Sequence, residues 1–143
     1  MQRLIALSAL ALLAGCASGR VGELPHVPDP SSAAKVVVIR ASGFVGAANP
    51  FTIALDGNDL FRIGSGEHAE FPVPAGSHRI AVKCFGGWTP TMKEDTESFA
   101  AAAGETRYFR VAPSATCADI EAIGEGTAKR ELGSSTAINL AGP

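Results

Sequence analysis

The chain has 143 residues, with 16 glycines, 9 prolines and only 18% charged side chains, for a formal net charge of −2. That length bounds it to one modest domain plus its terminal segments, and the turn-rich composition suits a β domain better than a helical bundle. Charge excludes nucleic acid as a partner, because that binding is driven by clustered Lys and Arg.

Residues 1–15 read as a secretory signal peptide. Arg3 supplies the positive n-region, and Leu4 to Leu13 form an uncharged h-region. A helix of that length rises about 15 Å, half of a bilayer core, so the segment is not a transmembrane span. It ends in Leu13-Ala14-Gly15-Cys16, which resembles the lipobox of bacterial lipoproteins. The resemblance implies that the Cys16 thiol receives a diacylglycerol, that cleavage precedes it, and that its new amine is acylated. Several acyl chains give stable attachment where one is marginal. In Gram-negative lipoproteins an Asp after the cysteine goes with inner-membrane retention, so Ala17 implies the outer membrane. No polybasic stretch adds an electrostatic hold on lipid.

Residues 16–34 combine the lipidated cysteine with three prolines and no apolar period. They are expected to form a flexible, solvated tether in which His26 is a linker histidine. The domain proper is expected over residues 35–143.

Val36 to Ile39 form a β-branched run that fits a strand buried on both faces. Phe51, Ile53 and Leu55 alternate with Thr52, Ala54 and Asp56, a period of two. Asp56-Gly57-Asn58-Asp59 supplies a turn, followed by a short strand through Leu60–Ile63. After Gly64-Ser65-Gly66, Ala69, Phe71 and Val73 alternate with His68, Glu70 and Pro72, and the proline marks an edge or a bend.

Pro74-Ala75-Gly76 turns into the clearest strand, with His78, Ile80, Val82 and Cys84 on one face. Phe85 to Thr91 read as a loop, Lys93-Glu94-Asp95 as a charged solvated segment, and Ser98 to Ala103 as weak β sequence with helical competition from four alanines. Thr106–Val111 and Ala118–Ile123 complete the strands, and Gly126–Leu132 carries a short helical turn. The expected fold is an all-β, immunoglobulin-like antiparallel β-sandwich of seven or eight strands. Its expected core includes Ile53, Leu55, Phe61, Phe71, Ile80, Val82, Phe109 and Val111.

With Cys16 lipidated, Cys84 and Cys117 remain as an even pair in an oxidising compartment, where a disulfide competes with buried thiols or intermolecular pairing. Metal ligation lacks a matching cysteine spacing, and His68 and His78 have no third partner in view. Asp56 and Asp59 lack the oxygen-rich loop of a calcium site and suit turn formation. Ser65 lies in a Gly-Ser-Gly step without the strand-to-helix context of a nucleophile elbow or phosphate cradle. Glu94 and Asp95 are adjacent on a solvated segment, which does not suit a pair of carboxylates with separate acid and base roles. The loop Trp88-Thr89-Pro90 contains the single tryptophan and is a candidate interaction loop, with packing of Trp88 on the sandwich end as the alternative.

Leu55-Asp56-Gly57, Gly64–Gly66, the stretch Phe71–Ile80 and the stretch Ala103–Val111 together resemble bacterial envelope lipoproteins that carry a domain of unknown function, number 2846 of its series. The resemblance covers residues 36–140, implies an immunoglobulin-like or related β-sandwich, and transfers no catalytic residue. Independently of it, Gly57 and Gly76 suit turn positions with positive φ, and the His78 ring is placed to hydrogen-bond a loop carbonyl. The expected function is a lipid-anchored, non-enzymatic envelope module that binds a protein or glycan and uses no cofactor. The alternative is a small-molecule or metal-binding periplasmic carrier, with a hydrolase a more distant third.

Overall fold

A computed structural model describes residues 18–43, 48–86 and 91–142. Cys16 with its lipobox, and Trp88, Thr89 and Pro90 of the candidate loop, lie outside these residues.

Among the described residues, ten strands form two packed five-stranded sheets: β1 (Gly19–Arg20), β2 (Ala33–Arg40), β3 (Phe51–Leu55), β4 (Asn58–Ile63), β5 (Glu67–Pro74), β6 (Gly76–Gly86), β7 (Thr91–Ala101), β8 (Thr106–Pro113), β9 (Ala118–Ile123) and β10 (Thr136–Ala137). One sheet has the order β1-β4-β3-β6-β7 and the other β10-β5-β2-β8-β9. The sandwich is the one expected, and seven of its eight long strands, β2 to β6, β8 and β9, lie where the sequence put them. Most pairs are antiparallel, but β2 runs parallel to β8 at the centre of the second sheet, and the short β10 runs parallel to β5. Sandwich architecture does not fix one strand order.

Every residue of the expected core is buried, and Phe61 and Phe71 meet edge to face with ring centroids 5.7 Å apart. Both faces of β2 are covered, for different reasons. Val36 and Val38 point into the sandwich, while Val37 and Ile39 lie under Ala128 of the helix α1 (Glu125–Leu132). Arg110 fastens that helix across the sheet, pairing with Glu121 of β9 at 3.0 Å and Glu131 of α1 at 2.6 Å. The edge expected at Pro72 is real. β10 pairs only with Glu67 and His68, so among the described residues no strand lies beside Pro72 on that side.

Three expectations need correction. The charged segment at residues 93–95 and the ambiguous alanines up to Ala101 form one strand, β7, paired with β6 from Gly76↔Ala101 to Gly86↔Thr91. Eleven paired positions override the helical preference of the alanines. Phe85, Gly86 and Thr91 are therefore strand residues, not loop.

The third concerns residues 16–34. From Ser18 onward this stretch is docked: β1 pairs with the free edge of β4, and the Val21 and Gly22 N–H groups donate to the Leu60 carbonyl at 2.9 and 3.0 Å. Leu24 packs on the core, and Asp29 caps a 3₁₀ turn at Pro30–Ser32 that leads into β2. The backbone polar groups that composition alone assigns to water are partly satisfied by β4 instead.

Candidate functional site

The sandwich has two ends. At the first, the chain reaches Ser18, Arg40 closes β2, and the disulfide and the Gly86↔Thr91 end of the β6–β7 pair lie together. At the second are the turns at Asp56–Gly57, Pro74–Gly76 and Ala102–Glu105. Their chemistry differs.

At the second end, Asp56 (φ 49°) and Gly57 (φ 86°) form the tight β3–β4 turn, and Gly76 (φ 133°) opens β6. A positive φ suits glycine, and Asp tolerates the left-handed region better than most residues. The turn aims the Asp56 carboxylate at β6, where Oδ1 accepts from the Arg79 N–H at 2.9 Å. His78 bridges two turns: Nδ1 meets Asp56 Oδ2 at 2.7 Å and Nε2 meets the Pro74 carbonyl at 2.6 Å. Both partners only accept, so both contacts are hydrogen bonds only when the ring is protonated. Burial by itself would depress the His78 pKa, but the hydrogen bonds to Asp56 and Pro74 and the Asp56 charge together raise it above 6.5. This is the loop-carbonyl role anticipated from the sequence, with the Asp56 contact added. The arrangement clamps two turns and offers no free base.

The remaining sequence candidates are also placed. Asp59 accepts from Lys83 Nζ at 2.8 Å. His68 Nδ1 hydrogen-bonds with the Ser135 hydroxyl at 2.7 Å, and the Ser65 hydroxyl accepts from the Gly43 N–H at 3.1 Å. His26 is exposed at the rim of a cleft bounded by residues 22–26, Asp56, Asp59 and His78. Among the described residues no three His, Cys, Asp or Glu side chains are grouped to hold a metal ion. Asp95 is not simply solvated: its Oδ2 accepts the Ile120 N–H at 2.8 Å and so links β7 to β9 across the two sheets.

The second end also carries a cleft of about 540 Å³ on the β2 side. The docked N-terminal segment supplies one wall through Val27 and Pro30, and Ala33, Phe71 and Pro72 give an apolar floor. Lys35, Glu70 and Glu105 form a charged rim, with Lys35 and Glu70 paired at 3.8 Å. Sequence reasoning missed this cleft because one wall comes from residues it assigned to solvent.

At the first end, Cys84 of β6 and Cys117 before β9 form a disulfide that joins the two sheets, with Cα atoms 6.2 Å apart. Arg40 is buried there, its guanidinium 3.7 Å from the centre of the Phe51 ring, and Nη1 donates to the carbonyls of Asn49 at 2.7 Å and Ile63 at 3.0 Å. Burial lowers its pKa, opposed by the Glu67 charge, yet an arginine stays protonated. The candidate loop Trp88-Thr89-Pro90 lies outside the described residues, and the strand residues Phe85 and Met92 on either side of it are exposed, 71% and 50% accessible.

A family model described as protein of unknown function (DUF2846) matches residues 30–126, from the 3₁₀ turn to the first turn of α1. The chain belongs to this family. The DUF2846 span contains all eight long strands, both disulfide cysteines and the Asp56–His78–Pro74 clamp, whereas β1, docked on β4, lies before it. No curated protein and no solved structure matches the chain.

Proposed function

We propose that this DUF2846 protein is a lipid-anchored, non-enzymatic envelope module that holds a binding cleft for a protein or glycan at the end of the sandwich remote from Ser18. The observation that carries this reading is the cleft of about 540 Å³ with its apolar floor and the charged rim of Lys35, Glu70 and Glu105. Anchoring rests on the lipobox resemblance at Leu13–Cys16 and on acylation of the cysteine, with the outer membrane as its place through Ala17. The polar groups at this end serve structure: His78 clamps two turns, and Lys35 faces Glu70. One observation favours the carrier alternative, since the cleft volume lies within the roughly 300–1,000 Å³ typical of small-molecule pockets.

Both parts are testable in intact cells. Replacing Cys16 by Ala should abolish acyl labelling and release the protein from the membrane fraction; unchanged labelling would end the anchored reading. A photo-crosslinking residue at Glu105, on the cleft rim, should capture an envelope protein or glycan, while one at the exposed Glu121 on β9 should not. Equal capture from both positions would remove the cleft as the binding surface. Absence of adducts together with a thermal shift on adding small molecules would favour the carrier.

A further inference from the structure

We propose that the outer edge of β7 adds a strand from a partner protein, an extended segment that carries lysine or arginine side chains. The site is separate from the Lys35–Glu105 cleft and does not depend on it.

Hydrogen-bond parity fixes which backbone groups of β7 face outward. On β6, Arg79 turns both of its backbone groups toward β3: its N–H donates to Asp56 Oδ1 at 2.9 Å, and its carbonyl accepts from the Asp56 N–H at 2.8 Å. Successive residues of a strand aim these groups to opposite sides, so His78, Ile80, Val82 and Cys84 aim theirs at β7. Their register partners there are Phe99, Glu97, Asp95 and Lys93. The alternate residues Met92, Glu94, Thr96 and Ser98, all exposed, therefore present their N–H and C=O groups away from β6. Ala100 fits the same parity, since its carbonyl accepts from Arg107 Nη1 at 2.6 Å, outside the β6–β7 ladder. Among the described residues no strand pairs with β7 on this side.

The other edges are blunted. β1 and the Val21 and Gly22 amides cover β4, and β10 covers the start of β5, where Pro72 and Pro74 then supply no donor. Ile120 of β9 gives its N–H to Asp95. β7 carries no proline and keeps one register with β6 from end to end. A long regular edge of this kind is a template for another strand.

Charge selects the occupant. Glu94, Asp95 and Glu97 stand along the edge and Asp119 beside Ile120 on β9, against Lys93 and, across from Ser98, Arg79. Lys83 is held by Asp59 at 2.8 Å, and Glu121 is turned away to Arg110 at 3.0 Å. Opposite charges that face each other across a strand pair stabilise it, and like charges oppose it. If a second copy paired antiparallel on this edge, every register centred from Glu94 to Glu97 would set two carboxylates directly opposite each other. A basic strand meets those carboxylates with the opposite sign, so the edge rejects itself and admits a cationic partner.

Amide hydrogen exchange on the purified protein tests this, with a synthetic peptide of alternating Lys and Thr as the probe. A Glu–Thr counterpart and a backbone N-methylated Lys–Thr peptide serve as controls. In the protein alone, the amides of Lys93, Asp95 and Glu97 should be protected and those of Glu94, Thr96 and Ser98 should exchange fast. The Lys–Thr peptide should slow the second set, less so at high salt, and neither control should. Thr96→Pro removes one outward donor without touching a β6–β7 hydrogen bond, so it should keep the parental melt and lose the effect. Glu94→Lys/Glu97→Gln leaves every backbone group in place and should lose it too, which decides the matter should the proline variant fail to fold. Equal protection by the Glu–Thr peptide would overturn the basic occupant, and protection by the N-methylated peptide would overturn strand addition. Outward amides already protected in the protein alone, with a dimer in analytical ultracentrifugation, would give the edge to a second copy and overturn the proposal. So would a Lys–Thr peptide that protects nothing up to its solubility limit.

Discussion

His78 shows how one side chain converts turn geometry into a pH response. Its folded pKa is raised above 6.5, so the stability it contributes is fully present below about pH 6.5 and is lost as pH rises through the folded pKa. Because Asp56 is exposed and screened by water, the loss should be about 1 kcal/mol. Denaturant midpoints measured across that range should fall for the parent, whereas His78→Gln should show no such fall. An identical slope in both proteins would show that the clamp has no imidazolium character. The position of His78 was legible because it shares strand parity with Ile80 and Val82. Its carboxylate partner was not, since nothing local in the sequence brings Asp56 to a strand twenty-two residues on. Arg40 is the converse: it shares parity with Val36 and Val38, which face the core, and that signal could have placed it inside. The general rule that arginine stays outside hid it.

At the level of elements, period-two runs were readable wherever one face is buried, as in β3, β5 and β6. The two-residue strands β1 and β10 have no period to read, and their pairing depends on free edges of β4 and β5 that only the assembled sheets present. Composition misled for the same reason, because Gly, Pro and Ser serve a solvated tether and a docked strap equally well. Gly22 separates the two. A Cβ at this position would meet the carbonyl oxygen of Asp59, so the close approach of strap and β4 needs glycine. Gly22→Val should therefore cost about 1–3 kcal/mol, the usual range for overpacking, or peel the strap from β4. Hydrogen exchange at the Val21 and Gly22 amides would separate these outcomes. A variant with parental stability and parental protection at both amides would mean that the strap contributes nothing.

Across the whole molecule, the disulfide lies on the side where strands of the two sheets come together. β7 and β9 are edge strands of different sheets, and Asp95 reaches the Ile120 N–H between them. The Cys84–Cys117 bond adds a covalent link at the same side, closing a separation of 33 residues. The sequence showed an even cysteine pair and the inward face of Cys84, but it could not show which sheet Cys117 joins. In the chain-entropy picture a loop of this length contributes about 3–4 kcal/mol by restricting the unfolded chain. That is a large share of the 5–15 kcal/mol by which domains are usually stable. The double variant Cys84→Ala/Cys117→Ala should consequently unfold at a markedly lower denaturant concentration, while the oxidised parent exposes no thiol from this pair even when unfolded. Removing both cysteines also deletes buried sulfur contacts at Cys84, so the reduced parent is the cleaner comparison. Reduction and the double variant should agree in the sign of the change. A reduced parent with an unchanged midpoint would show that the core and the Asp95 link alone hold the sheets together.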